Sequence, residues 1–474
     1  MAQKLTKIVA TISDLQCDVE HIRALHQAGV DVVRLNTAHQ KQEDTLKVIQ
    51  SVRAVSDKIA LLLDTKGPEV RTAGIENPIE VKAGDKVKIA RKIAGPDSFE
   101  VNYDGFIREV NVGNNVLIDD GDIGMKVIEK VDNEYLVCEV ENSGKIKNRK
   151  SVNVPGIHLN LPSITPKDRD YLKFAAEYDL DFIAHSFVRS KQDVLDVQAI
   201  LDEYGSKAKI IAKIENREGV DNIDEILEVT YGVMVARGDL GIEVPANEVP
   251  IIQKRIIHKC IEAAKPVITA TQMLHTMIEN PRPTRAEVSD VANAIFDGTD
   301  AVMLSGETAY GKYPLEAVKV MAEIARTVEA VKEKFRNHPI YAGSSPIRDY
   351  LCKAAINAVE ALPVKAIVVD SLTGRSARIL STYRVDIPVY VKAHDPRVMR
   401  QLALSYGIFA DYLALPPTTS QLITQALDDL VSKGHLHNTD LIVVLAGTPG
   451  DSTGSNLIEI NTVENCLRGH RRNS

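Results

Sequence analysis

Polar side chains gather at the ends of short apolar runs in this chain. The run 32–37 carries Arg34, Asn36 and Thr37 at its end, followed by Ala38 and His39. The run 59–67 ends in Asp64, Thr65 and Lys66, with Arg71 just beyond. Later runs end in Lys213 and Glu215, in Arg237, Gly238 and Asp239, in Thr271 and Gln272, and in Ser305 and Glu307. Glu215 and Asp239 are hard carboxylate ligands, and so few protein ligands, completed by substrate oxygens, suit Mg2+ or Mn2+. Arg34 and Lys213 supply positive charge for a phosphate. The turn Gly238-Asp239-Leu240-Gly241 offers backbone N–H groups to a carboxylate, and Thr271 adds a hydroxyl. The set fits a small acid that carries both a carboxylate and a phosphate. Phosphoryl transfer needs mainly positioning and charge neutralisation, and these residues offer both. Any one of them alone reads as a solvated loop charge; six run-ends with complementary groups do not.

For these groups to meet, the run-ends must converge. Eight continuous apolar runs, 7–12, 32–37, 59–67, 182–187, 209–215, 231–240, 267–273 and 301–308, have the texture of strands covered on both faces. Most begin roughly 22 to 36 residues after the last, the length of one strand–helix unit. The helix expected over 18–28 shows the pattern, with Val19, Ile22 and Leu25 on one face, Asp18 to cap it and Gly29 to stop it. Eight such units predict a (β/α)8 TIM barrel, whose strand ends meet on one face. The long gap after the third run holds an insert, 70–159, rich in Val, Asn, Asp and Gly with period-two stretches. It reads as a small β-barrel lid on the catalytic face. From 346 the alternation restarts, with strands expected at 366–370, 388–393, 411–415 and 441–447 and a helix over 418–433. The expected division is a barrel of 1–69 and 160–345, the lid, and a C-terminal α/β regulatory unit of 346–474.

Bulk properties exclude several classes. A composition 44% hydrophobic and 26% charged is that of a folded chain rather than a disordered one. The 57 basic against 65 acidic residues leave a net charge of −8, with no global basic character to attract nucleic acid. No run reaches the roughly 18 apolar residues of a membrane helix, and no signal region opens the chain, so a cytoplasmic location is expected. Cys17, Cys138, Cys260, Cys352 and Cys466 are scattered without CxxC spacing, the pattern of buried free thiols.

The same segments closely resemble the pyruvate kinase family. The matching stretches are TKIVATI at 6–12, DTKGPEVR at 64–71, SVNVPGIHLNLPSIT at 151–165, AKIENREGV at 212–220, VARGDLGIEVP at 235–245, TATQML at 269–274 and PTRAEVSDVANAIFDGTDAVMLSGETAYGKYP at 283–314. The C-terminal unit matches more loosely. The resemblance implies transfer of a phosphoryl group from phosphoenolpyruvate to ADP, the last step of glycolysis, in a homotetramer. It implies that Arg34 holds the phosphate and that Lys213 stabilises the moving phosphoryl group and the enolate. Glu215 and Asp239 would bind Mg2+, and Gly238, Asp239 and Thr271 the substrate carboxylate. Thr271 and Ser305 would form a water-linked proton relay. Arg71 and Lys150 match positions that contact ADP phosphates, beside the basic stretch Lys147-Asn148-Arg149-Lys150. Asn36 and His39 also fall at family positions near the nucleotide.

The resemblance further implies K+ near the phosphate, with Asn36, Asp64 and Thr65 as ligands and Glu69 as in the K+-dependent members. Two departures stand out. Ala38 replaces the usual serine ligand, which weakens the K+ site or leaves it partly to water. Ser13-Asp14-Leu15-Gln16 replaces a Gly-Pro turn that shapes the nucleotide pocket. Thr373-Gly374-Arg375-Ser376 follows a strand and opens a helix, a ready anion site that the loop 447–456 could close over. It resembles the family's sugar-phosphate effector site, and an ordinary turn and cap is an equal reading. Two other functions stay open at this point. One is an Mg2+ barrel making or breaking carbon–carbon bonds beside pyruvate enolates, which would lack the lid and the 64–71 motif. The other is a degenerate relative that only senses phosphoenolpyruvate.

Overall fold

All eight apolar runs are strands, and they close on one another. The computed structural model describes residues 3–38, 40–93, 95–331, 345–450 and 454–472. Strands Lys7–Thr11, Val32–Asn36, Ala60–Asp64, Phe182–His185, Lys209–Ile214, Gly232–Ala236, Val267–Ala270 and Ala301–Leu304 form a closed parallel barrel in which the last pairs with the first. Side chains alternate across a strand, so each one feeds two cores. Val32, Leu62, Ala184, Ile211 and Met234 fill the barrel interior. Val33, Leu63, Ile183 and Ile210 instead pack with the surrounding helices. One inward step up from Val32, Leu62 and Ile211 stand Arg34, Asp64 and Lys213. The polar layer at the mouth is therefore the continuation of the hydrophobic layers below it.

The surrounding helices start and stop where their sequence says. Val19–Ala28 is capped by Asp18, whose side chain accepts from the His21 N–H at 2.9 Å, and ends at Gly29 with φ 131°. Pro166–Glu177 carries a capping box between Thr165 and Asp168. The carboxylate of Asp168 also accepts from the Lys66 N–H at 2.9 Å, so this cap ties the third strand's polar end to the helix.

Among the described residues, the insert is all β apart from one short helix, Phe106–Glu109. Seven strands form one sheet and two more a separate ribbon, around a core that includes Phe99, Phe106, Met125 and Leu136. The sheet's two end strands, Thr72–Ala73 and Val152–Asn153, are tied to one another at the neck. Thr72 N–H donates to the Lys150 carbonyl at 2.8 Å and Val152 N–H to the Val70 carbonyl at 2.8 Å. The expected small barrel thus closes through the two chain segments that join it to the larger one.

The C-terminal sheet has five strands in the order Ile408–Tyr412, Val389–Ala393, Ala366–Ser371, Leu441–Ala446, Leu457–Thr462. Two details differ from the sequence reading. The strand expected at 411–415 lies at Ile408–Tyr412, because Ile408 to Tyr412 pair in register with Val389 to Ala393. The antiparallel edge strand Leu457–Thr462 has no counterpart in that reading. It alternates polar and apolar residues and stays partly exposed, so it lacks the continuous apolar run that marks a buried strand.

This unit seats on the barrel's N-terminal end. Leu404 joins the barrel's interior cluster, closing its floor. Arg400 reaches Asp181 at 2.5 Å, and Arg384 clasps Asp300 with bonds of 2.7 and 3.0 Å. Both partners of the Arg384–Asp300 pair are about fully buried, at 2% and 3% side-chain exposure. Removing one partner of such a pair leaves a buried charge alone and costs on the order of 3–5 kcal/mol. Arg384→Leu is expected to lower stability by about that much, read from the urea midpoint. The double change with Asp300→Leu should recover part of the loss. Equal midpoints for wild type and Arg384→Leu would contradict this.

Candidate active site

Asp64 is the hub of the barrel mouth. Its side chain is 2% exposed and carries a cation on each oxygen. Arg34 Nε lies 2.6 Å from Oδ2, and Lys213 Nζ lies 3.0 Å from Oδ1. Burial opposes ionisation of Asp64, but Arg34 and Lys213 outweigh it and hold the carboxyl below its usual range. Arg34 is steadied further by Thr11, whose Oγ1 accepts from Nη1 at 2.9 Å. Lys213 also bonds Ser186 Oγ at 2.8 Å and faces Glu215 Oε1 at 3.0 Å. Burial disfavours the Lys213 charge, but Asp64 and Glu215 prevail and the ammonium is held above its ordinary pKa.

Glu215 and Asp239 meet beside this hub, from the fifth and sixth strands. Their carboxyls are within hydrogen-bonding reach of one another. Burial raises both, with Lys213 opposing the shift in each case. The second oxygen of Glu215 accepts from the Phe187 N–H at 2.6 Å, which fixes the carboxyl plane. Two adjacent carboxyls that resist ionising together are a pair a cation would stabilise. Among the described residues no three acidic, His or Cys side chains cluster to cage a metal unaided. The pair fits an ion whose remaining ligands come from a substrate.

Thr271 sits opposite with strained backbone. Its φ is 69° and that of Gln272 is 54°, a left-handed conformation costly for a β-branched residue. Thr271 Oγ1 accepts from the Gly238 N–H at 2.7 Å, so hydroxyl and turn are already joined. Arg237 holds the strained segment in place. Its Nη2 donates to the Thr271 carbonyl at 2.7 Å, while Asp290 grips the guanidinium from the other side at 2.7 and 2.8 Å. Ser305 lies at the end of the eighth strand with its hydroxyl buried and without a partner among the described residues. Glu307 receives the N–H groups of Ser305 at 2.8 Å and Leu274 at 3.1 Å, binding the seventh and eighth strand ends together.

Residues 3–318 match the family model described as pyruvate kinase, barrel domain, and residues 349–461 that of the pyruvate kinase alpha/beta domain. A pyruvate kinase of Borreliella burgdorferi is 54% identical over 99% of both chains. The chain belongs to the pyruvate kinase family. A pyruvate kinase of Bacillus licheniformis is 46% identical over 97% of this chain, which spans 80% of that protein. The crystal structure of a pyruvate kinase from Cryptosporidium parvum superposes with a TM-score of 0.90 at 36% identity, covering 97% of this chain and 96% of that one.

The other positions suggested by the pyruvate kinase resemblance fall into three places. Asn36 and Thr65 adjoin the hub, which is Asp64 itself. Asn36 Oδ1 accepts from the Ala38 N–H at 3.1 Å, and the Thr65 carbonyl accepts from Ser186 Oγ at 2.6 Å. Arg71 and Lys150 flank the lid's neck, with Arg71 bonded to Glu69 at 2.7 Å and Lys150 to Asp119 at 2.9 Å. Thr373, Gly374, Arg375 and Ser376 lie far from the mouth, in the C-terminal unit. There Gly374 has φ 76° and precedes the helix Arg375–Thr382. His39 and residues 451–453 of the loop 447–456 lie outside the described residues. The sequence reading missed Ser186, although the run 182–187 places it at a strand end like the others. It noted Arg237 only as a charge, since nothing in the sequence says that Asp290 neutralises it.

Arg237 acts on the site through backbone, the carbonyls of Ala270 and Thr271, so it is a positioning residue. Displacing a reacting group by about 1 Å can cost about 10²-fold in rate. Arg237→Met is expected to lower kcat by roughly that factor with a melting temperature within a few degrees of wild type. Unchanged kcat would show that Thr271 holds its conformation unaided.

Proposed function

We propose that the chain acts as a pyruvate kinase through the residues at this mouth, moving a phosphoryl group from phosphoenolpyruvate to ADP. The observation that carries the reading is the sharing of Asp64 by Arg34 and Lys213. It sets two desolvated cations a few ångströms apart on one carboxylate, with Glu215 also facing Lys213. Arg34 then binds the phosphate. Lys213 faces the bridging oxygen, where negative charge develops as the bond between phosphorus and the enol oxygen breaks and the bond to the ADP β-phosphate oxygen forms. The enolate left behind needs one proton on its terminal carbon. Thr271 and Ser305 pass it through water, and the Ser305 hydroxyl, unpartnered among the described residues, supports this role. The turn at Gly238 and Asp239, with Thr271, holds the substrate carboxylate.

Glu215 and Asp239 would hold Mg2+ or Mn2+, which supplies charge neutralisation when bound. Without that ion the two carboxyls resist ionising together, so bound cation and ionised pair favour one another. Asn36, Asp64 and Thr65 would hold K+, with Glu69 nearby and no side-chain oxygen from Ala38. Arg71 and Lys150 at the lid neck, with Asn36 and His39, would meet the nucleotide. The functional division follows the units 1–69 with 160–345, 70–159, and 346–474. Thr373, Gly374, Arg375 and Ser376 would take a phosphorylated effector, with Ser376 Oγ 3.1 Å from Ser455 Oγ beside the loop that could close there. Homotetramer assembly and a cytoplasmic location accompany this reading; no helix among the described residues is long and apolar enough to cross a membrane.

Two measurements test it. Lys213→Met should reduce ATP formation from phosphoenolpyruvate, ADP, Mg2+ and K+ by on the order of 10²–10³ or more, with circular dichroism unchanged. Near-normal ATP output by that variant sinks the assignment. Ala38→Ser should restore an oxygen ligand and lower the half-activating K+ concentration roughly fivefold, the equivalent of about 1 kcal/mol. An identical K+ dependence in the two proteins would mean that the ion does not approach residue 38.

A further inference from the structure

Below the barrel, at the opposite end of its sixth and seventh strands from the mouth, lies a cleft of about 300 Å³. Its walls come from two units. Tyr231 and Lys265 belong to the barrel, and Arg348, Arg375, Arg378 and Ile379 to the C-terminal unit. The volume is at the lower end of the range that holds small ligands.

The charge of this cleft is one-sided. Arg348 is neutralised by Asp349 at 3.0 Å. Among the described residues, Lys265, Arg375 and Arg378 form no ion pair. Among them, Lys265 Nζ donates to the Thr230 carbonyl. Arg378 lies over the Tyr231 ring, 4.9 Å from its centroid, and donates to the Thr373 carbonyl at 3.3 Å. Elsewhere the same interface balances its cations, as Arg384 with Asp300 and Arg400 with Asp181. Burial, and then the Arg378 charge, draw the Lys265 ammonium down to about 8. Burial, Arg378 and Lys207 likewise lower nearby Lys209. Arg378 therefore opposes the charge on both lysines, and among the described residues the carboxylate acting on Lys265, Glu228, pairs with Lys191 instead.

We propose that this cleft binds a small phosphorylated metabolite with at least two anionic groups, held by Lys265 from the barrel and by Arg375 and Arg378 from the C-terminal unit. Tyr231 and Ile379 offer an apolar wall to its organic part. The site is distinct from the effector stretch at Thr373 to Ser376, whose Ser376 hydroxyl meets Ser455 instead; Arg375 alone is common to both. Because its ligand touches both units, it would favour their docked arrangement over any other.

The chain contains no tryptophan, so Tyr231→Trp places a single indole in the cleft. Inorganic pyrophosphate, titrated without Mg2+, is the probe. The indole emission is expected to change saturably and to weaken steeply with added salt. Lys265→Gln in that background should raise the apparent Kd by on the order of tenfold or more, while Thr373→Ala should leave it within about twofold. The absence of a saturable change, indifference to Lys265→Gln, or loss in Thr373→Ala each overturns the proposal, the last by moving the anion to the effector stretch. Should Tyr231→Trp misfold, calorimetry decides with the unaltered chain and Lys265→Gln alone. The variant should lose one pyrophosphate site at unchanged basal turnover, and superimposable isotherms refute the site.

Discussion

The site depends on one carboxylate doing two jobs. Asp64 is buried at the barrel mouth, where an isolated charge would be strongly disfavoured. Arg34 and Lys213 make its ionisation favourable, and in return it allows two cations to stand together out of water. Arg34 receives only a share of that negative charge, while Lys213 also faces Glu215. A phosphate arriving there meets donors already oriented and largely desolvated, the condition under which electrostatic stabilisation is strongest. Thr11, Ser186 and the Phe187 N–H fix the same groups from behind, so the hub is rigid before any ligand binds.

Strain is concentrated on the opposite rim. Thr271 and Gln272 hold positive φ in consecutive positions, and both precede the short helical turn at His275–Ile278. A strand ending in Ala270 would naturally carry Thr271 on in extended form. The turn instead aims its hydroxyl at the Gly238 N–H. Arg237 and Glu307 supply the restraint, one through the Thr271 carbonyl and the other through the Leu274 amide. Both are charged residues whose work is done on backbone, which makes their purpose hard to see in a sequence.

Much of this was legible in the sequence for a physical reason. A barrel strand covered on both faces must be apolar along its length, so the polar residues where it stops are conspicuous. Arg34, Asp64, Lys213, Glu215, Asp239 and Thr271 were visible on that ground, and their strands close into one barrel. Half-buried elements gave no such contrast. The strand Leu457–Thr462 alternates polar and apolar residues at a sheet edge and looks like loop. Ser186 escaped because a serine after an apolar run carries no charge to draw notice. The left-handed turn at Thr271 escaped because threonine is an unfavourable residue for it, and only tertiary contacts impose it.

Charge balance separates the parts of the molecule that hold it together from those that bind. At the barrel floor, Arg384 with Asp300, and Arg400 and Arg53 with Asp181, leave little for a ligand to neutralise. Such pairs fix geometry, since desolvation offsets most of their attraction. At the mouth Glu215 and Asp239 sit side by side above their ordinary pKa, a state relieved by a cation rather than by more packing. Between the two units, around Lys265 and Arg378, the balance tips positive. A folded chain tolerates an unpaired charge in a recess only where the electrostatic cost is offset by another requirement. The group left unsatisfied then names what should bind: a cation at the carboxyl pair of the mouth and an anion at the cleft, at opposite ends of the sixth strand.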